Sequence, residues 1–123
     1  NAPVRQPDHA LRAVRAALHI RDSLKSLHHQ LSPEQRLSFG IGIHTGEAVL
    51  GLIGSEKRLE YTAIGDCINT TKRIQENARA NQILVTQEVI DRLDGYAVYQ
   101  PVEAIQAKGK RQPVQVYEIN FLI

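Results

Sequence analysis

Asp66-x-x-Asn69-x-x-x-Arg73 is the first stretch of this sequence whose residue types and spacing could do chemistry. Residues four apart on a helix project only about 40° from one another, so Asn69 and Arg73 would share a face. Asn69 falls in the first turn, where free backbone N–H groups and the macrodipole favour anions. Arg73 adds a planar, permanently charged fork suited to phosphate oxygens. Together they suit a sugar phosphate. They equally suit a helix start followed by a solvated surface charge, and spacing alone does not separate the two.

Three other groups of residues have chemical potential. Lys108-Gly109-Lys110 supplies ammonium groups on a backbone that glycine lets approach a ligand closely, though a solvated turn has the same composition. Tyr61-Thr62 stands just before a helix, where the Thr62 hydroxyl can donate to and accept from a base edge, or simply cap or pair within a strand. Cys67, just inside a helix start, suits either a thiol of lowered pKa or inert packing. The five histidines, His9, His19, His28, His29 and His44, form no His-x-x-x-His pair and have no cysteine pair to complete a zinc site, so no metal ligand is expected among them. No Gly-x-x-x-x-Gly-Lys-Ser/Thr loop occurs, and Gly40-Ile41-Gly42 lies within a strand pattern, which leaves neither a P-loop nor a dinucleotide fingerprint.

The elements that must position these residues follow from periodicity. Leu11, Val14, Leu18, Leu24, Leu27 and Leu31 recur at helical steps after Pro7-Asp8 and predict an amphipathic helix of about six or seven turns. Leu37 to Ile43 alternates apolar with small or polar residues as a half-buried strand does. His44-Thr45-Gly46-Glu47 reads as a hairpin turn, with Ala48 to Gly54 as the returning strand and Ser55 to Glu60 as a polar link. Asp66 is the expected N-cap of a helix from Cys67 to about Ala80, with Asn81 as its stop. Gln82 to Val85 reads as a strand, Thr86 as the cap of a helix through about Leu93, Tyr96 to Tyr99 and Val114 to Ile119 as strands. No sustained βα alternation appears, so the fold class is α+β: a mixed, mostly antiparallel sheet with helices on one face.

With 123 residues, 42% of them hydrophobic, the chain suits one core and one domain. Fifteen Lys and Arg against thirteen Asp and Glu leave a formal charge of +2, too little to steer the chain toward nucleic acid or membrane. The lack of an aromatic-rich strand argues likewise against an RNA-binding module. The single cysteine fits a reducing compartment and a cytoplasmic protein, and no apolar run reaches membrane-spanning length.

Taken in order, Phe39-Gly40-Ile41-Gly42-Ile43-His44-Thr45-Gly46-Glu47 through Gly54, then Tyr61-Thr62-Ala63-Ile64-Gly65-Asp66-Cys67-Ile68-Asn69-Thr70-Thr71-Lys72-Arg73, and Lys108-Gly109-Lys110 before Val116-Tyr117, the sequence resembles class III adenylyl and guanylyl cyclases, bacterial adenylyl cyclases in particular. The resemblance covers nearly the whole chain. It implies a cyclase sandwich of ferredoxin-like type, of which residues 1–123 would be the carboxy-terminal two-thirds. It also implies a homodimer, or a pairing with a second cyclase domain, that converts a nucleoside triphosphate to a 3′,5′-cyclic nucleotide and pyrophosphate in signalling. By the same resemblance Asn69 positions the ribose, Arg73 stabilises charge on the phosphates, and Lys108 binds the terminal phosphates. Thr62 occupies the purine-selecting position, where threonine favours ATP, with GTP as the alternative. His44 stands where many relatives have asparagine.

The resemblance further implies two Mg2+ or Mn2+ ions. Their aspartate ligands, and the lysine that accompanies Thr62 in purine selection, belong to a segment ahead of Asn1. Asp8 and Asp22 lie in the wrong elements to replace those ligands. The 123 residues are therefore expected to carry the nucleotide-clamping half of each site and to be inactive by themselves. A catalytically silent cyclase-like domain that dimerises or binds nucleotide is the second expectation.

Overall fold

The computed structural model describes residues 1–106, 109 and 112–123. Helix α1 spans His9–His28 and buries Ala10, Val14, Ala17 and Leu18, so the apolar stripe is a true core face over its first turns. The stripe then runs out: Leu27 is exposed and Leu31 lies beyond the helix, which ends one turn earlier than the leucine spacing predicts. Asp8 precedes the helix, but its side chain bonds the Arg12 guanidinium at 2.8 Å instead of capping the backbone. That bond holds the Asp8 carboxyl below its ordinary pKa.

Among the described residues four strands form the main sheet: β1 (Ile41–Ile43), β4 (Ile83–Thr86), β5 (Ala97–Pro101) and β6 (Val116–Leu122), in the spatial order β1-β4-β6-β5. β1 runs parallel to β4, whereas β6 is antiparallel to both β4 and β5. The α+β class and the mixed, mostly antiparallel sheet are as expected. The placing of the helices is not, since the sheet is covered on both faces. β4 is wholly buried, and its alternate residues enter two different cores. Ile83 and Val85 pack with Val14 and Leu18 of α1, with Val89 and Ile90 of the short helix α3 (Gln87–Asp91), and with Ile119. Leu84 packs the other way, with Val116, Ile105 and Ile74 of helix α2 (Asp66–Asn77). Burying a side chain such as Ile74, 1% exposed, contributes about 1.5–3 kcal/mol, which ties α2 to the sheet.

The expected hairpin through His44–Glu47 does not form. β1 pairs with β4, and the segment after Glu47 becomes β2 (Val49–Ser55), which pairs with β3 (Arg58–Ile64) in a separate two-stranded sheet. The register runs from Val49 opposite Ile64 to Ser55 opposite Arg58, so the supposed polar link from Ser55 to Glu60 is the tip of this hairpin. Gly54 makes the tip possible: its φ of +140° lies in a region that L side chains rarely adopt, and a Cβ there would strike the Arg58 carbonyl. The hairpin exposes Val49, Leu52, Leu59 and Tyr61.

Candidate active site

Helix α2 carries the Asn69 and Arg73 pair, and its position is dictated by the strand beneath it. Along β1 and its continuation, Ile41 and Ile43 pack against the α1 core, while the intervening glycines face α2. A Cβ on Gly40 would stand 2.5 Å from the Ala78 Cβ, one on Gly42 2.6 Å from the Gln75 backbone nitrogen, and one on Gly46 2.8 Å from the Cys67 Cβ. The alternation that looks like a strand with one free face belongs to a strand covered on both faces, with its glycine face serving as a track for the helix. Cys67 adds a pin near the helix start, donating its thiol to the Glu47 carbonyl at 2.9 Å, which is a packing role.

α2 begins after Gly65, whose φ is +152° and whose carbonyl accepts from the amides of Ile68 and Asn69 at 3.1 and 3.4 Å. Gly65 is thus the N-cap, and Asp66 is the first helical residue, where its charge favours the positive end of the macrodipole. The helix stops at Asn77, not near Ala80; Asn81, at φ +65°, turns the chain into β4. Thr86 does not cap α3 through its side chain either. Its buried hydroxyl pairs with His44 Nδ1 at 2.8 Å, so His44 is part of the packing at the end of β1.

On α2, Thr70 and Ile74 are buried and Asn69 is exposed. Arg73 lies one turn after Asn69, its side chain 42% exposed, and its Nη1 donates to Glu76 Oε2 at 2.7 Å. Thr62 sits on β3 opposite Gly51, exposed. Side chains directly opposite in an antiparallel pair share a face, and a Cβ at Gly51 would meet nothing, so the face bearing the Thr62 hydroxyl is uncrowded. β3 runs into α2 through Gly65 alone, which links Thr62, Asn69 and Arg73 through one strand-to-helix unit. Lys108 lies outside the described residues.

A groove of about 1020 Å³ runs along the start of α2, walled by His9, His44, Glu47, Ile64, Cys67 and Arg92 among others; Thr62, Asn69 and Arg73 are not among its walls. At the far end of α2 a cleft of about 720 Å³ is lined by Glu76, Asn77, Val102, Glu103 and Gln106. Glu76 thus touches both Arg73 and a cleft. Sequence reasoning passed over it, although its three-residue separation from Arg73 was the signal.

Residues 1–120 match the adenylate and guanylate cyclase catalytic domain family. The chain belongs to that family. It is 33% identical to Adenylate cyclase 1 of Rhizobium meliloti over 97% of this chain and 18% of that protein. The structure of the adenylyl cyclase CyaB from P. aeruginosa superposes with a TM-score of 0.87 at 26% identity, over 98% of this chain and 64% of that one. The guanylyl cyclase Cya2 superposes with a TM-score of 0.86 at 33% identity, over 99% and 63%. The cyclase chain therefore spans somewhat under two-thirds of the solved domains it matches, and its relatives include both adenylyl and guanylyl enzymes.

Among the described residues no three His, Cys, Asp or Glu side chains converge where a metal ion could sit. Asp8 is paired with Arg12 and Asp22 with Arg21. The described residues do not fit the divalent ions that the family resemblance implies. No helix among them is long and apolar enough to cross a membrane.

Proposed function

We propose that this chain is the nucleotide-clamping portion of a purine nucleotide cyclase domain that takes ATP and releases 3′,5′-cyclic AMP and pyrophosphate in cytoplasmic signalling. The observation that carries the reading is the placement of Asn69 and Arg73 one turn apart on a helix locked to the sheet, directly after the strand bearing Thr62. In the reaction the ribose 3′-oxygen bonds to the α-phosphorus, the bond from that phosphorus to the bridging oxygen of the β-phosphate breaks, pyrophosphate leaves with that oxygen, and the 3′-hydroxyl proton passes to solvent water. Asn69 hydrogen-bonds the ribose and fixes the line of attack. Arg73 stabilises the charge that develops on the phosphate oxygens, with two N–H groups matched to two oxygens. Lys108 takes the terminal phosphates. The Thr62 hydroxyl accepts from the adenine amino group.

The relevant unit is a dimer with a second copy or a second cyclase domain. The exposed Leu50, Leu52, Leu59 and Tyr61, which the register places on one face of the β2–β3 hairpin, support this, because apolar side chains clustered on a projecting ribbon are suited to burial against a partner. The carboxylates that hold Mg2+ or Mn2+ come from outside these 123 residues. The chain assayed alone with ATP and Mn2+ is therefore expected to form no cyclic nucleotide, measured by chromatography of the products, and detectable cyclic AMP from it would overturn this division of labour.

A second reading, guanylyl cyclase activity, has a specific observation in its favour: Cya2 shares 33% identity over 99% of this chain. The Thr62 hydroxyl can also donate, which guanine accepts at its carbonyl oxygen. Initial rates of the full-length protein on ATP and GTP decide between them. We expect kcat/KM to favour ATP by about tenfold or more, the discrimination that 1.4 kcal/mol of base-edge hydrogen bonding supplies. A preference for GTP would reverse the substrate assignment and leave the rest of the site intact.

A further inference from the structure

We propose that Glu76 is a positioning residue for Arg73, fixing one edge of its guanidinium so that the other edge is presented to phosphate. The proposal rests on the role given to Arg73 above. Arg73 Nη1 donates to Glu76 Oε2 at 2.7 Å, and Asn77 Nδ2 donates to the Arg73 carbonyl at 2.8 Å. The bond to Glu76 engages a single terminal nitrogen, and no other side-chain bond of Arg73 is present among the described residues, leaving the Nε and Nη2 edge for two parallel bonds to an anion. Arginine has many rotamers when exposed, and each must be surrendered as the transition state forms. A carboxylate that already holds one edge makes part of that ordering a property of the resting protein.

The position of Glu76 in the helix points the same way. It lies in the last turn of α2, where no basic residue is present and the negative end of the macrodipole disfavours a carboxylate. An exposed ion pair of this kind, with both side chains about two-fifths exposed, contributes little to fold stability. Glutamine would suit this end of the helix at least as well, so removing the carboxylate is not expected to weaken the fold, and a loss of stability in Glu76→Gln would point to a structural role instead.

The test uses the full-length protein with ATP and its divalent ion. Glu76→Gln is expected to lower kcat about tenfold while KM stays within about twofold and the melting temperature is unchanged or slightly raised. Glu76→Asp, which keeps the charge on a shorter arm, is expected to recover part of the lost kcat. In an Arg73→Ala background Glu76→Gln should cost nothing further, since there is no guanidinium left to hold. If Arg73→Ala itself turns over at nearly the wild-type rate, the assignment of Arg73 fails. If Arg73→Ala is slow and Glu76→Gln keeps full or raised kcat, only the positioning role fails. A Glu76→Gln enzyme that is slow, less stable, and equally impaired in the Arg73→Ala background would mark Glu76 as structural and overturn the proposal.

Discussion

Replacing Arg73 with alanine in the full-length protein is expected to slow turnover by about 10² to 10³ while leaving the fold intact, because a single preorganised donor aimed at developing charge typically supplies about 3–4 kcal/mol. The structure separates the two effects. Arg73 projects from the flank of the face that buries Thr70 and Ile74, its side chain is 42% exposed, and its ion pair is with Glu76 of the same helix, 41% exposed. Such a pair is worth about 0.3–0.5 kcal/mol, too little to move a melting curve by more than a degree or two. Arginine and alanine are both good helix formers, so the helix itself does not suffer. Single-turnover rates with ATP, alongside circular dichroism and thermal melting, provide the check. A loss in kcat with preserved melting is the expected result. Near-normal turnover would remove Arg73 from the site, whereas loss of both activity and melting temperature would show that the side chain holds the fold. Arg73→Lys is expected to recover only part of the rate, since an ammonium keeps the charge and loses the planar fork.

Where the candidate residues Asn69 and Arg73 sit was more legible than the architecture that holds them. Asn69 and Arg73 share a face because four-residue spacing on a helix is a local rule, and the helix announces itself in the spacing of Thr70 and Ile74. The pairing of β1 is another matter. Its partner, β4, begins about forty residues later, and nothing in Ile41-Gly42-Ile43 names it. Sequence reasoning joined β1 to the next strand through His44–Glu47, because a glycine-bearing turn between apolar runs is the usual hairpin signal. The true hairpin has Glu56-Lys57 at its tip and is signalled by Gly54, just before the turn. Placing all helices on one face failed for a related reason. Alternation reports that one side of a strand differs from the other, and glycine was counted as the wet side when it was the side pressed hardest against a helix. Glu76 went unread because an Arg and a Glu three apart on a helix surface are common, and only the 2.7 Å bond to the residue proposed to hold phosphate sets this pair apart.

Gly42→Val tests the glycine track directly. It is expected to destabilise the domain by about 3 kcal/mol, lowering the melting temperature by on the order of 10 °C. The first side-chain atom alone decides the sign. A Cβ at this position would stand 2.6 Å from the Gln75 nitrogen and 2.9 Å from its Cα, and both are backbone atoms of α2, so no rotamer change relieves the contact. β1 cannot retreat, because Ile41 and Ile43 on its other face are packed against the α1 core and its backbone is paired with β4. The helix must therefore lift, breaking the packing of Ile74 against Leu84 and Val116 and carrying Asn69 and Arg73 with it. A displacement of about 1 Å at reacting groups costs on the order of 10²-fold in rate, so activity should fall further than the stability loss alone predicts at temperatures where the protein remains folded. Gly51→Ala is the control: a glycine of β2, in the separate two-stranded sheet, where the added Cβ meets nothing within 4 Å, should change stability by no more than about 0.5 kcal/mol. Comparable melting temperatures for Gly42→Val and Gly51→Ala would mean that α2 is not seated on the glycines of β1, and the positioning of the whole Asn69 and Arg73 face would need another cause.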